Sequence, residues 1–266
     1  MVIHLSLEEA ANLIEDDIML ALGGMTIYRR PMAFALSLLK RTIRPKNLTL
    51  MNFTAGIESD LLIGAGCVKS IRSVYCGLEA FGLAPMFTTT AQQGKLHIIE
   101  ETEASIVMGL RAHMAGIGFM PSRAWQRTDL PKLRDDVVDV IDPYSGETLT
   151  AFPAIDVDVC VLHGLASDSQ GNVLLNNNLG IDLELVYASS LVIVTVEQYV
   201  DSIERTPQTT ILPAPGADYI ALAPGGAKPT SCYPLYPLDG LEIMRYVEMC
   251  NAGEFEVYLE DLLMRL

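Results

Sequence analysis

Apolar and polar positions alternate along the chain in a way that separates short buried strands from amphipathic helices. Ser6 followed by Glu9 forms a capping box ahead of Leu7, Ala10, Ala11 and Ile14 at helical spacing, so a first helix begins there. "IMLALGG" reads as a buried strand, and Pro31 suits the first turn of a helix, "PMAFALSLLKRTI", running to Ile43. "NLTLMNF", "SIRSVYCG" and "LHIIE" read as strands, with "ESDLLIGAG" and "EASIVMGLRAHMAG" as helices. Strands separated by helices imply parallel pairing through right-handed crossovers, a doubly wound sheet. "VVDVIDPYSGETLTAFPAID" breaks the alternation: two apolar stretches around Pro143, Ser145 and Gly146 predict a β-hairpin insertion. The strand "VDVCVLHG", the helix "IDLELVYASS" and the strand "LVIVTVE" resume the pattern. A Pro- and Gly-rich stretch with short apolar pieces and two helices from Asp239 complete it. No linker or repeat interrupts residues 1–266, so a single domain is expected.

Ligands of such sheets gather at the carboxyl ends of the strands. Those ends carry Gly23 and Gly24, Asn52 to Thr54, Tyr75 to Glu79, and Glu100 to Glu103. The pair in "LALGGMTIYRRP" fits neither GxGxxG nor GxxxxGK followed by Ser or Thr, which excludes a nucleotide loop. It is either a plain tight turn or a loop whose backbone approaches a ligand with exposed N–H groups ahead of a helix. Arg29 and Arg30 follow it and can fork onto a carboxylate or phosphate, or pair with the abundant acids. Glu100, Glu101 and Glu103 crowd at a strand end, where mutual repulsion can fit one for proton transfer, and capping is the plainer role for Glu103. Arg111 can brace these carboxylates or touch substrate.

Composition narrows the partners. Half the residues are hydrophobic, 19% are charged, and 18 basic against 33 acidic residues leave a net charge of −15, which repels nucleic acid and anionic membranes. The five cysteines form no CxxC pair, His97 and His113 have no ligand cluster, and no metal site or disulfide framework is expected. His163, Ser167 and Asp168 lie within one turn and lack a nucleophile elbow, so a turn after a buried strand is read there. The N-terminus reads as a capped helix rather than a leader, and no run reaches the ~18 apolar residues of a membrane span, which points to the cytoplasm.

Read in order, "GGMTIYRRPM", "EASIVMGLRAHMAGIGFMP", "HGLASDSQGNV", "VTVEQYV" and "APGGAKPT" resemble the α-type subunit of family I CoA-transferases, the group of glutaconate and 3-oxoacid CoA-transferase, from about Leu20 to Thr230. The resemblance implies a three-layer α/β/α fold around a mainly parallel sheet, and an α2β2 assembly with a β-type subunit. It also implies transfer of CoA between an acyl-CoA and an organic acid through a glutamyl-CoA thioester, with no permanently bound cofactor. The family's nucleophilic glutamate lies in a Glu-Asn-Gly motif of the β-type chain. This chain has no such motif, and Glu79 in "CGLEAFG" does not match it. Substrate or CoA contacts are expected at Gly23, Gly24, Met25, Arg29, Arg30, Thr54 and Glu79. "RRP" and the "E-A-x-x-x-x-GLRA" pattern also resemble the subgroup that opens steroid-derived rings on CoA thioesters, which implies Glu103 as acid or base. A non-catalytic scaffold and a sugar-phosphate isomerase of related fold are the further alternatives.

Overall fold

The computed structural model describes residues 2–265. In chain order its first half contains β1 (Ile3–Leu5), α1 (Leu7–Asn12), β2 (Met19–Leu22), α2 (Met32–Lys40), β3 (Leu48–Ala55), α3 (Ile57–Gly64), β4 (Val68–Cys76), α4 (Pro85–Gln92), β5 (His97–Glu100) and α5 (Glu103–Met114). The insertion β6 (Phe119–Ser122), β7 (Val138–Ile141) and β8 (Thr148–Pro153) follows. The second half has β9 (Val157–Gly164), β10 (Ala166–Asp168), β11 (Val173–Asn176), α6 (Asp182–Tyr187), β12 (Ser189–Val196), β13 (Tyr199–Val200), β14 (Thr209–Leu212), β15 (Tyr219–Leu222), α7 (Gly240–Asn251) and α8 (Phe255–Met264).

Eight strands pair in the order β1-β15-β12-β9-β2-β3-β4-β5, every neighbour parallel. The central strands β9 and β12 are continuous apolar runs because helices or a second sheet cover both faces. On one face, α1, α2, α3, α7 and α8 close a core that includes Leu20, Leu22, Leu50, Val161 and Ile193. On the other, α5, α6 and the small sheet β13-β10-β11-β14 close a core around Ala21, Met51, Cys160, Leu162 and Val194. The expected α/β/α layering is present, with the small sheet completing one layer. Strand order runs outward from β2 in one direction and from β9 in the other, so these neighbours mark the topological switch point.

The capping box at Ser6 is present, with Ser6 Oγ accepting from Glu9 N–H and the Glu9 carboxylate accepting from Ser6 N–H. The hairpin forms as expected between β7 and β8 across Asp142–Gly146. Two expectations shift. Helix α2 stops at Lys40 rather than Ile43, because Arg41 leaves helical geometry and its guanidinium donates to the carbonyls of Ala11 and Ile14, while Ile43 stands 77% exposed. Pro31 caps that helix instead of lying inside its first turn. Further elements were not expected: α4; β6, which adds a third antiparallel strand to the hairpin; the edge strand β1; and β10, β11 and β13 of the small sheet, where a turn was read at Ser167 and Asp168.

Candidate functional site

At the switch point, Gly23 and Gly24 end β2 and turn the chain. Gly24 has φ +82°, and a Cβ there would stand 2.5 Å from the Arg29 carbonyl and 2.8 Å from that of Tyr28. A Cβ on Gly23 would stand 2.1 Å from Leu162 Cδ2 and 2.6 Å from Asp182 Oδ1. The glycines are therefore required by tight packing inside the protein. The tight-turn alternative fits, since all the loop's amides but that of Ile27 have partners within the protein. Gly23 donates to Val161 O, Gly24 to Asp182, Met25 to Tyr28 O, Thr26 to Thr54 Oγ1, Tyr28 to Met25 O, Arg29 to Ser231 O and Arg30 to Thr230 Oγ1.

Arg29 and Arg30 are wholly buried, so neither guanidinium faces a ligand directly. Arg29 pairs with Asp182 and donates to Asn176 Oδ1 (3.1 Å), His163 O (2.6 Å) and Asn178 O (3.0 Å). Arg30 pairs with Glu58 and donates to the carbonyls of Gly24 (2.8 Å), Thr54 (3.1 Å) and Leu22 (3.2 Å). These carbonyls lie at the ends of β2 and β3 and in the turn between them, so Arg30 acts as an internal staple for the loop. Each buried charge is matched by a carboxylate, which is what makes such burial tolerable. Glu58 and Asp182 were missed in the sequence. Their available signal was acids embedded in the otherwise apolar helices "ESDLLIGAG" and "IDLELVYASS".

The three clustered glutamates diverge. Glu101 turns inward and is clamped by Arg72 (2.7 Å), Arg134 (2.7 Å) and the Ser105 hydroxyl. Arg134 comes from the insertion and also grips Asp136 through two nitrogens, holding that carboxyl below its usual range. Thr102 caps α5 with Ser105 and accepts from the indole N–H of Trp125 at 2.8 Å. Trp125 in turn meets Phe152 edge to face, at 5.2 Å between ring centres. The insertion thus fixes residues 101 and 102, and Glu103, in the first turn of α5, stays exposed. Arg111 does not brace this group, since it pairs with Glu184 on α6 at 2.9 Å. Of the other expected contacts, Met25 and Thr54 are half-buried and bridged to each other, and Glu79 is exposed on a short turn that packs against α7.

His163, Glu197 and Cys232 bring ligand-type atoms within 4.8 Å of one another. All but the thiol are already engaged. Burial holds His163 neutral; its Nε2 meets Glu197 at 2.7 Å and its Nδ1 meets Thr195 Oγ1 at 2.8 Å. Burial pushes the Glu197 carboxyl up, but hydrogen bonds from His163, Tyr236 and Gly225 N–H outweigh it and keep the group ionised. Burial, with Glu197 nearby, pushes the Cys232 thiol up to about 12, far from a thiolate ligand. This knot ties the 223–236 loop onto the ends of β9 and β12, and through the His163 carbonyl it reaches Arg29.

Half-buried Phe53 and Thr54 and exposed Tyr75 and Glu103 lie at the strand ends. One depression of about 550 Å³ lies between α1 and the end of α2, and another of about 520 Å³ beside Gly225–Pro229.

Residues 4–223 match the family described as Coenzyme A transferase. The chain is 31% identical to the A subunit of 3-oxoadipate CoA-transferase from Pseudomonas knackmussii, over 88% of this chain and 84% of that protein. It is 27% identical to the cholesterol ring-cleaving hydrolase IpdA subunit of Mycobacterium tuberculosis, over 93% and 88%. The crystal structure of glutaconate coenzyme A-transferase from Acidaminococcus fermentans superposes with a TM-score of 0.88 at 26% identity, covering 99% of this chain and 89% of that one. A crystal structure of the decarboxylase AibA/AibB superposes at 0.89 with 31% identity, covering 98% of each chain. Ordered motifs, parallel sheet and family match agree: the chain belongs to the coenzyme A transferase family, as an α-type subunit.

Proposed function

We propose that this chain supplies one wall of a site that moves CoA between an acyl-CoA and an organic acid, while a β-type partner supplies the glutamate that carries CoA as a thioester. The observation that carries this reading is the glycine loop braced by two buried ion pairs at the switch point of a chain that lacks Glu-Asn-Gly. Met25 and Thr54 form its accessible surface at the glycine loop. Gly23, Gly24, Arg29 and Arg30 hold that surface in place, and Glu79 and Glu103 are its accessible carboxylates. An α2β2 assembly in the cytoplasm, with the CoA thioester as substrate and no resident cofactor, fits this arrangement. No helix among the described residues is long and apolar enough to cross a membrane.

Co-expression with the partner and measurement of label exchange between an acyl-CoA and a free carboxylic acid test the reading. Exchange is expected from the pair and from neither chain alone. Full turnover by this chain by itself would overturn it.

A second reading, hydrolytic opening of a ring borne on a CoA thioester, draws on the exposed Glu103 beside the locked residues 101 and 102 and on the ring-cleaving relative. Under it, Glu103→Gln lowers kcat by about a hundredfold or more with assembly intact, the scale of losing a general acid or base. Under the transfer reading the same variant keeps most of its exchange rate.

A further inference from the structure

On the α5/α6 face, the carboxyl ends of β3 and β4 present Phe53 and Val74, and α5 presents Val107 one turn after Glu103. The segment leading into α6 and its first turn present Leu179 and Leu183. All five are half-buried and pack on the core of that face. Met25 joins them, since a Cβ at Gly180 would touch both Met25 Cγ and Phe53 Cδ1 at 3.3 Å. This apolar surface lies at the switch point, where a doubly wound sheet gathers its ligand.

The charges around it are one-sided. The arginines on the framing elements are committed: Arg29 to Asp182, Arg30 to Glu58, Arg72 to Glu101 and Arg111 to Glu184. Lys69 lies near the opposite, amino end of β4. Glu103, a carboxylate, is exposed at the border, exposed Arg111 is paired with Glu184, and the loop amides named above are engaged internally. A second carboxylate on a bound acyl group would lose its water here without gaining an unpaired cation from this chain, and Glu103 would repel it.

We propose that Met25, Phe53, Val74, Val107, Leu179 and Leu183 receive the acyl tail of the CoA thioester, and that this tail is uncharged hydrocarbon rather than one ending in a second carboxylate. The inference rests on the acyl-CoA reading above. It sets this chain apart from relatives named for 3-oxoadipate and glutaconate, acids with two carboxylates.

Valeryl-CoA and glutaryl-CoA match in chain length and differ in a terminal methyl against a carboxylate. With the complete complex, kcat/KM for CoA transfer and, without acceptor, Kd by calorimetry are measured for both. Valeryl-CoA is expected to be favoured at least tenfold in each. Leu183→Arg places a guanidinium in the patch with no acid one helical turn away to absorb it, and is expected to move the ratio at least tenfold towards glutaryl-CoA. Equal or better use of glutaryl-CoA by the wild type overturns the proposal, as does an assembled Leu183→Arg complex with an unmoved ratio. If Leu183→Arg fails to assemble, the wild-type ratio decides. If neither thioester is bound or turned over, the acyl-CoA reading itself fails; diacid transfer alone removes only the hydrocarbon tail.

Discussion

Asp60 lies wholly buried on α3, where its carboxylate accepts from the amides of Met86 (3.1 Å) and Phe87 (2.6 Å) and from the Tyr246 hydroxyl (2.5 Å). Burial raises its pKa from 3.8 to about 6 in spite of those hydrogen bonds. A folded pKa above the unfolded one means that the stability contributed is full below the unfolded value and is lost as pH rises through the folded one. A rise of that size corresponds to roughly 3 kcal/mol. Asp60→Asn removes the titration. In urea unfolding, the wild type should lose about 3 kcal/mol relative to the variant between about pH 4 and pH 7.5. A difference that stays flat with pH would show that Asp60 does not titrate in this window.

At the scale of elements, the turn after β2 and helix α6 form one unit through Asp182, which accepts from Arg29 and from the Gly24 amide. Asp182→Ala leaves a buried guanidinium and a buried N–H without their acceptor and should cost about 3–5 kcal/mol. The double variant Arg29→Met, Asp182→Leu should lose far less than the sum of its single changes, and strict additivity in denaturation would refute the coupling. Elements with strong periodicity, such as β9, β12 and α5, were legible in the sequence, as were the cap at Ser6 and the helix start at Asp239, whose side chain accepts from the Glu242 amide. Helix α4, "PMFTTTAQ", was not, because three threonines disfavour a helix and its cap comes from Asp60, on a different helix. Strand β6 hid behind Pro121, which is tolerated because β6 is an edge strand. The site was legible in outline only. Spacing placed Gly23, Gly24 and Glu103 at strand ends, but no local signal reveals that Arg29 answers to a residue 153 positions later or Glu101 to one 33 later.

Across the whole molecule, two arms of a parallel sheet meet at β2 and β9, and the proposed partner contact lies at their shared end. A chain that binds there in the native state alone stabilises that state by mass action, about 4 kcal/mol at a thousandfold excess over Kd. The melting temperature of this chain should therefore climb with added partner, and a temperature indifferent to partner concentration would argue against the contact. The loop of Gly23 to Arg30 meanwhile directs its amide hydrogens, those of Gly23 to Thr26 and Tyr28 to Arg30, into its own protein. Negative charge that develops on a thioester oxygen there would find those hydrogens already engaged, which leaves its steadying chiefly to groups across the contact.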